Sequence, residues 1–123
     1  MEKLEAVFID ISYDIEKMFE NIGKSDRAQL GLMHVKLVKE VMDKLKESLQ
    51  KRGIEIDAYD SIKYSYTLLE YPITELKLYF DRLIAKKEPR INDKTAYIFA
   101  YFIREQLSEL QEIAKEIDDE YSI

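Results

Sequence analysis

The sequence predicts an all-α fold, an antiparallel bundle of four to five helices in a single domain over residues 1–123. Apolar residues recur at steps of three and four along most of the chain, and no long stretch alternates between apolar and polar residues. Only three Gly and two Pro occur in 123 residues, which indicates few turns and therefore long elements. A chain of this length is expected to form one compact domain.

The first predicted helix covers residues 2–22. Its apolar stripe, at steps of three and four, consists of Leu4, Val7, Ile11, Ile15, Met18 and Ile22. Gly23 is expected to follow the helix end, because a left-handed backbone conformation costs glycine little.

The second predicted helix covers residues 26–52 and begins at Ser25 or Asp26, which are both good N-cap residues. Its apolar stripe consists of Leu30, Met33, Leu37, Val41, Leu45 and Leu49. We expect this stripe to face the core. Charged residues of alternating sign lie on the other side, as is typical of a solvated helix face.

The third predicted helix covers residues 58–87 and is kinked or broken near residues 71–72. Pro72 lacks a backbone donor and its ring clashes with the preceding turn of a helix. The residue before Pro89 also disfavours helix, so a break is expected there.

The fourth predicted helix covers residues 93–120 and is roughly 40 Å long at about 1.5 Å per residue. Its apolar stripe alternates steps of three and four, which is a seven-residue repeat. The stripe consists of Ala100, Ile103, Leu107, Leu110, Ala114, Ile117 and Tyr121.

The start of the fourth helix is apolar on every side. Residues 96–103 are all apolar, and eight successive residues go more than twice around a helix, so they cannot all face one core. Two interpretations stay open: a helix buried centrally in the bundle, or a subunit interface, since interface cores are rich in Tyr and Phe. The interface residues would be Tyr97, Ile98, Phe99, Tyr101 and Phe102.

The second half of the same helix is acidic. Residues 105–123 hold seven acidic residues and one basic residue, so their charge of −6 equals the net charge of the whole chain. This segment is either a solvated tail that aids solubility or a surface that docks on a basic partner or on another copy. The candidate binding residues are Glu105, Glu109, Glu112, Glu116, Asp119 and Glu120.

A basic cluster precedes the acidic half. It consists of Lys86, Lys87, Arg90, Lys94 and Arg104, and Tyr79 and Tyr97 lie nearby in the sequence. Cations beside aromatic rings suit a single-stranded nucleic acid, so an accessory subunit of a nucleoprotein complex is one alternative. The acidic balance of the chain does not favour nucleic-acid binding as the main role.

The stretch RAQLGLMH places Arg27 and His34 seven residues apart, on the same face of the second predicted helix. An Arg followed by a His after four to six intervening residues resembles the catalytic motif of HEPN-domain ribonucleases, which are small all-α proteins that act as dimers. The resemblance implies that Arg27 would bind the scissile phosphate and that His34 would assist attack by the 2′-hydroxyl. That family usually has a polar residue after the Arg, whereas Ala28 stands here.

Other chemistry has little support in the composition. There is no Cys, which excludes disulfides and zinc thiolate sites. Only one His is present, and no Gly-rich phosphate loop occurs. We therefore expect no metal and no cofactor. The longest apolar run is residues 96–103, while a membrane span needs about 20 residues, so a cytoplasmic protein without a membrane partner is expected. Abundant Ile, Lys, Glu and Tyr are typical of thermophiles and suggest an archaeal-like source.

Together these patterns favour a non-enzymatic helical interaction module. We expect it to self-associate as a homodimer, or to dock on a larger assembly, through the aromatic and acidic fourth helix. The HEPN-like ribonuclease is the alternative from a different functional class.

Overall fold

The computed structural model describes residues 3–121, apart from the side chains of Ala58 and Tyr121. The fold is all-α, and no strand occurs within this range. The four helices are α1 (Ile11–Asn21), α2 (Ala28–Lys51), α3 (Asp60–Ile84) and α4 (Asp93–Tyr121). Short 3-10 helices precede the first three, at Leu4–Phe8, Ser25–Arg27 and Ile56–Ala58. The predicted all-α class is therefore confirmed.

The first predicted helix is divided in two. A 3-10 helix covers Leu4–Phe8, a turn follows at residues 9–10, and α1 begins at Ile11. The carboxylate of Asp118 in α4 accepts the backbone N–H groups of Leu4, at 2.8 Å, and Glu5, at 3.0 Å. This contact spans almost the whole chain, and local periodicity could not predict it. The expected stripe is otherwise correct, since all its members are buried except the half-buried Val7.

The core face of α2 is as predicted in its second half, where Val41, Leu45 and Leu49 are buried, but it differs in the first half. Leu30 and Met33 are exposed and Leu37 is only half-buried. The buried residues in this half of the helix include Ala28, Gly31, Val35 and Val38. Gly31 explains why the buried face of α2 is rotated from the predicted one, because a Cβ atom at this position would lie 2.3 Å from Cε1 of Phe80. Only glycine allows α2 to approach α3 this closely, so the larger apolar side chains turn outward.

The start of α2 also differs from the prediction. The N-cap residue is Arg27, and neither Ser25 nor Asp26 caps the helix because both belong to the preceding 3-10 turn. The side chain of Arg27 makes no capping hydrogen bond. A guanidinium carries only donors, so it cannot cap the free N–H groups of a helix start.

Helix α3 is continuous from Asp60 to Ile84 with a buried Pro72 inside it. A bend in its axis stays a prediction. Beyond its end, Lys86 adopts a φ of 58°, in the left-handed region that favours glycine. The N–H of Lys87 donates to the carbonyl of Arg82 at 2.9 Å, which is the long hydrogen bond of a Schellman motif.

The core lies between successive helices. Helix α1 packs on α2, α2 on α3 and α3 on α4, while α4 also contacts α1 and the 3-10 helix at Leu4–Phe8. The predicted α4 stripe is buried from Ala100 to Ile117, and its last member, Tyr121, lies outside the described side chains. No helix in the described part of the chain is both long and apolar enough to cross a membrane.

Candidate functional site

The apolar start of α4 divides into an inner and an outer side. Ala96, Ala100 and Ile103 are fully buried, while Phe99 and Phe102 are half-buried. Tyr97, Ile98 and Tyr101 are exposed at 45%, 56% and 53%. The inner side of the segment therefore belongs to the core, while a subunit interface on its outer side stays a prediction.

Neighbouring helices hold some of these aromatic rings. The ring of Tyr97 stacks on Phe19 of α1, with centroids 6.4 Å apart, and its hydroxyl donates to the carbonyl of Ile22 at 3.3 Å. The ring of Phe99 meets the edge of Tyr71 of α3 at 5.6 Å. Tyr71 is itself exposed, and the helical periodicity of the sequence did not predict it as a surface residue beside α4.

Four exposed residues follow one line along the outside of α4. They are Lys94, Ile98, Tyr101 and Glu105, and we call them the outward stripe. Steps of four, three and four keep them on one side of the helix. The guanidinium carbon of Arg104 lies 4.8 Å from the ring centroid of Tyr101, so this ring has a cationic neighbour on one flank.

All six acidic candidates, from Glu105 to Glu120, are exposed. Asp118, which the sequence count included in the acidic segment, is different. Its carboxylate is buried, accepts two backbone N–H groups, and lies 3.3 Å from Nη1 of Arg52. Asp118 is therefore part of the fold, and the exposed acidic surface does not include it.

The basic cluster lies in two places. Lys86, Lys87 and Arg90 are exposed at the connection from α3 to α4 and Lys94 in the first turn of α4, while Arg104 is ten residues beyond Lys94, roughly 15 Å along the helix. Tyr79 cannot stack on bases as the sequence suggested. It is buried, and its hydroxyl donates to Asp93 at 2.6 Å and accepts the N–H of Gly23 at 2.9 Å.

Arg27 and His34 line the same surface hollow, which lies between α1 and α2 and has a volume of about 590 Å³. His34 is buried, since only 6% of it is exposed. Its Nδ1 lies 3.0 Å from Oδ1 of Asp14, which is also buried. The edge of the Tyr13 ring packs against the imidazole at 5.9 Å.

This pairing orients the imidazole. An ionised Asp14 only accepts hydrogen bonds, so Nδ1–H of His34 would donate to it and Nε2 would carry the lone pair of a neutral ring. Lys17, at the edge of the hollow, is paired with Glu20 at 2.9 Å, and this hydrogen bond raises the pKa of Lys17. Among the described residues the side chain of Arg27 has no hydrogen-bond or ion-pair partner, so its guanidinium is available to an anion.

Asn21 is a member of the hollow that the sequence did not indicate. It is 1% exposed, and its Nδ2 donates to the carbonyl of Lys17 at 2.7 Å. Its Oδ1 is buried and has no hydrogen-bond partner within the part of the chain that the structure describes. Such an acceptor costs about 1–3 kcal/mol, which the fold tolerates here beside Arg27 and His34.

Across residues 3–121, no group of three or more His, Asp or Glu side chains is placed to hold a metal ion. The molecule is an all-α protein with two unusual surfaces, the hollow of Arg27 and His34 and the outward stripe of α4. No protein-family model, no curated protein and no solved structure matches the chain. The resemblance to HEPN-domain ribonucleases thus depends on Arg27 and His34 alone.

Proposed function

We propose that the protein is a non-enzymatic helical interaction module that associates through the outer side of α4, with a second copy of itself as the first partner. The observation that supports this is the exposure of Ile98 and Tyr101 between charged neighbours. Tyr71 extends the apolar surface onto α3. Grouped apolar side chains on a surface are typical of protein–protein contacts.

The acidic half of α4 also favours binding to a partner. Like charges four residues apart destabilise a helix by about 0.2–0.5 kcal/mol per pair. Acidic residues near a helix C-terminus oppose the helix dipole by roughly 0.3–1 kcal/mol each. This arrangement does not help the helix, whereas it would select a basic partner surface and speed its association.

We infer that α3 and α4 run antiparallel, as the predicted bundle requires. The contacts join Tyr79 to Asp93 and Tyr71 to Phe99. The residue number falls along α3 as it rises along α4, which supports opposite directions. This order brings the exposed tyrosine of α3 beside the outer side of α4.

Light scattering of the purified protein at low and high salt tests the proposed association. We expect a dimer, and Ile98→Asp should give a monomer with unchanged helical circular dichroism, because Ile98 is exposed. A dimer that persists in high salt would depend on its apolar residues, and one that dissociates would depend on charge pairs.

Ile9→Asp is the matched control, since Ile9 is 82% exposed on another part of the surface. This variant should stay dimeric. A monomeric wild type would contradict the proposal, and so would a dimer that Ile9→Asp dissociates and Ile98→Asp does not.

A second candidate function is RNA cleavage of the HEPN type, and the Asp14–His34 hydrogen bond beside Arg27 favours it. Nε2 of His34 would take the proton of a 2′-hydroxyl, and the 2′-oxygen would form a bond to phosphorus. The bond from phosphorus to the 5′-oxygen would break, and that oxygen would take a proton from water. Arg27 would hold the non-bridging phosphate oxygens.

Incubation with single-stranded RNA tests this candidate. Cleavage by the wild type should leave a 2′,3′-cyclic phosphate and a 5′-hydroxyl, and His34→Gln and Arg27→Gln should each reduce the rate by about 100-fold or more. Lys24→Gln is the control, because Lys24 is an exposed cation outside the hollow. Equal cleavage by all four proteins would exclude a role for the hollow.

A further inference from the structure

The outward stripe has a self-complementary order of side chains. From its N-terminal end it presents a cation, two apolar residues and an anion: Lys94, Ile98, Tyr101 and Glu105. We propose that two copies of the protein pair their α4 helices antiparallel, about a twofold axis between Ile98 and Tyr101. This inference rests on the proposed self-association and specifies its direction and register.

The spacing of the stripe makes the pairing symmetric. Ile98 and Tyr101 are equally distant from the axis, so Ile98 of each copy faces Tyr101 of the other. Lys94 and Glu105 are also equally distant from it, at roughly 8 Å along the helix. Each Lys94 therefore faces Glu105 of the other copy, and the dimer holds two such charge pairs.

The same order disfavours a parallel dimer. Parallel helices in register would place Lys94 against Lys94 and Glu105 against Glu105. Like charges facing each other are destabilising, so the stripe discriminates between the two directions as well as stabilising one of them. An all-apolar stripe would not make this distinction.

Both charged ends of the stripe are available to a partner. Lys94 is exposed, and its side chain makes no hydrogen bond or ion pair with any other residue that the structure describes. The nearest cation to Glu105 is Arg104, with Nε 3.9 Å from the carboxylate on an exposed surface. Contacts of this length at the surface are weak and readily exchanged.

The charges beyond the stripe have the same complementarity. Past Glu105, the outer side of α4 continues to Glu109 and Glu112, which are exposed. Past Lys94 of the other copy lies the connection that carries the exposed Lys87 and Arg90. Antiparallel pairing directs the acidic half of each α4 towards the basic connection of its partner.

A second line of exposed apolar residues lies beside the stripe on α3. Tyr64, Tyr71 and Leu78 are seven residues apart and therefore share one side of that helix. Tyr71 contacts Phe99, so this line follows the edge of α4. A stable interface buries about 800 Å² on each partner, more than one stripe supplies, and these residues widen the surface accordingly.

A charge-reversal cycle tests the register. Lys94→Glu and Glu105→Lys each convert two attractive contacts of the dimer into repulsive ones, so each should raise the dissociation constant by roughly 10- to 100-fold at low salt. The double variant Lys94→Glu/Glu105→Lys restores opposite charges and should return to within about threefold of the wild type. Dilution followed by analytical ultracentrifugation measures all four proteins.

Glu40→Lys is the control for net charge, because Glu40 is an exposed acid on α2 and its reversal changes the charge of the chain as much as Glu105→Lys does. It should affect dimerisation by less than about threefold at moderate salt. All substituted side chains are exposed, and unchanged circular dichroism confirms that each variant folds.

The outcomes separate this inference from the function on which it rests. A double variant as weak as the single variants would overturn the register, and so would single variants that bind like the wild type. If Ile98→Asp still gives a monomer in either case, self-association through α4 stands without this pairing. A monomeric wild type would overturn both.

Discussion

The hollow between α1 and α2 and the outward stripe of α4 differ in where their polar groups find partners. In the hollow, Asp14 and His34 bond to each other and both are buried. In the stripe, Lys94 and Glu105 are exposed at opposite ends and do not bond to each other. A charge that is satisfied inside the chain contributes to the fold, whereas one left outside it is free to select a partner. Substitutions should therefore change stability in the first region and association in the second.

The largest expected effect on stability concerns two adjacent acids of α4, the buried Asp118 and the exposed Asp119. Asp118→Ala should lower the free energy of unfolding by about 3 kcal/mol, because two backbone N–H groups and Arg52 lose a buried carboxylate. The exposed Asp119 provides the matched control, and Asp119→Ala should stay within about 0.5 kcal/mol of the wild type. Urea unfolding followed by circular dichroism measures both, and equal effects would contradict the contrast.

The next largest effect tests the hollow. Asp14→Ala should lower the free energy of unfolding by about 2 kcal/mol, because it leaves the buried Nδ1–H of His34 without an acceptor. Glu105→Ala should change stability by less than about 0.5 kcal/mol while it weakens the dimer. If Asp14→Ala were as stable as the wild type, the pair could not be holding α1 against α2.

Periodicity predicted the fold class and the buried side of α4, because both depend on local repeats. The seven-residue pattern from Ala100 to Ile117 is buried as expected. Periodicity failed in the first half of α2, where the close approach of Gly31 to Phe80 turns Leu30 and Met33 outward. That contact joins residues 49 positions apart, and no local pattern encodes it.

The candidate sites were predictable to different degrees. The spacing of Arg27 and His34 was visible in the sequence, and the structure places both in one hollow. The sequence did not predict Asp14 or Asn21 as members of the site. Asp14 lies on a different helix from His34, and Asn21 stands out only because its buried Oδ1 has no hydrogen-bond partner among the described residues. The outward stripe could be identified only once the exposure of each residue was known, because the apolar run at residues 96–103 does not show which side of the helix is buried.

The stability of the protein should also depend on pH, through the buried Tyr79 that bonds to Asp93 at the start of α4. Burial, with a further contribution from the hydrogen bond to Asp93, raises the pKa of Tyr79 to about 12. An unfolded tyrosine ionises near pH 10, so the stability from protonated Tyr79 is complete below that pH and is lost between about pH 10 and 12. We expect the melting temperature to fall by several degrees over this range.

Tyr79→Phe isolates the contribution of this hydroxyl. The variant should be less stable at pH 8, and its melting temperature should fall less steeply above pH 10. Parallel curves for the wild type and Tyr79→Phe would show that Tyr79 does not resist ionisation. Burial also raises the pKa of Tyr66, which accounts for part of the decline that remains in the variant.

The smallest expected effect concerns the basic connection that the proposed dimer places near the partner's acids. Lys86 adopts a left-handed conformation, so Lys86→Gly should raise the free energy of unfolding by about 1 kcal/mol. Lys87→Gly removes the same charge without relieving strain and should not stabilise the protein. Chemical denaturation of the two variants compares them, and equal stabilities would show that the strain at Lys86 is negligible.

The hydroxyl of Tyr79 has one more consequence. It accepts the N–H of Gly23 and donates to Asp93, so a single oxygen atom ties the α1–α2 connection to the first residue of α4. The amide proton of Gly23 is thereby a natural spectroscopic probe. Its hydrogen-exchange rate should report, without any added label, a loosening of α4 at Asp93, one residue from Lys94 of the outward stripe.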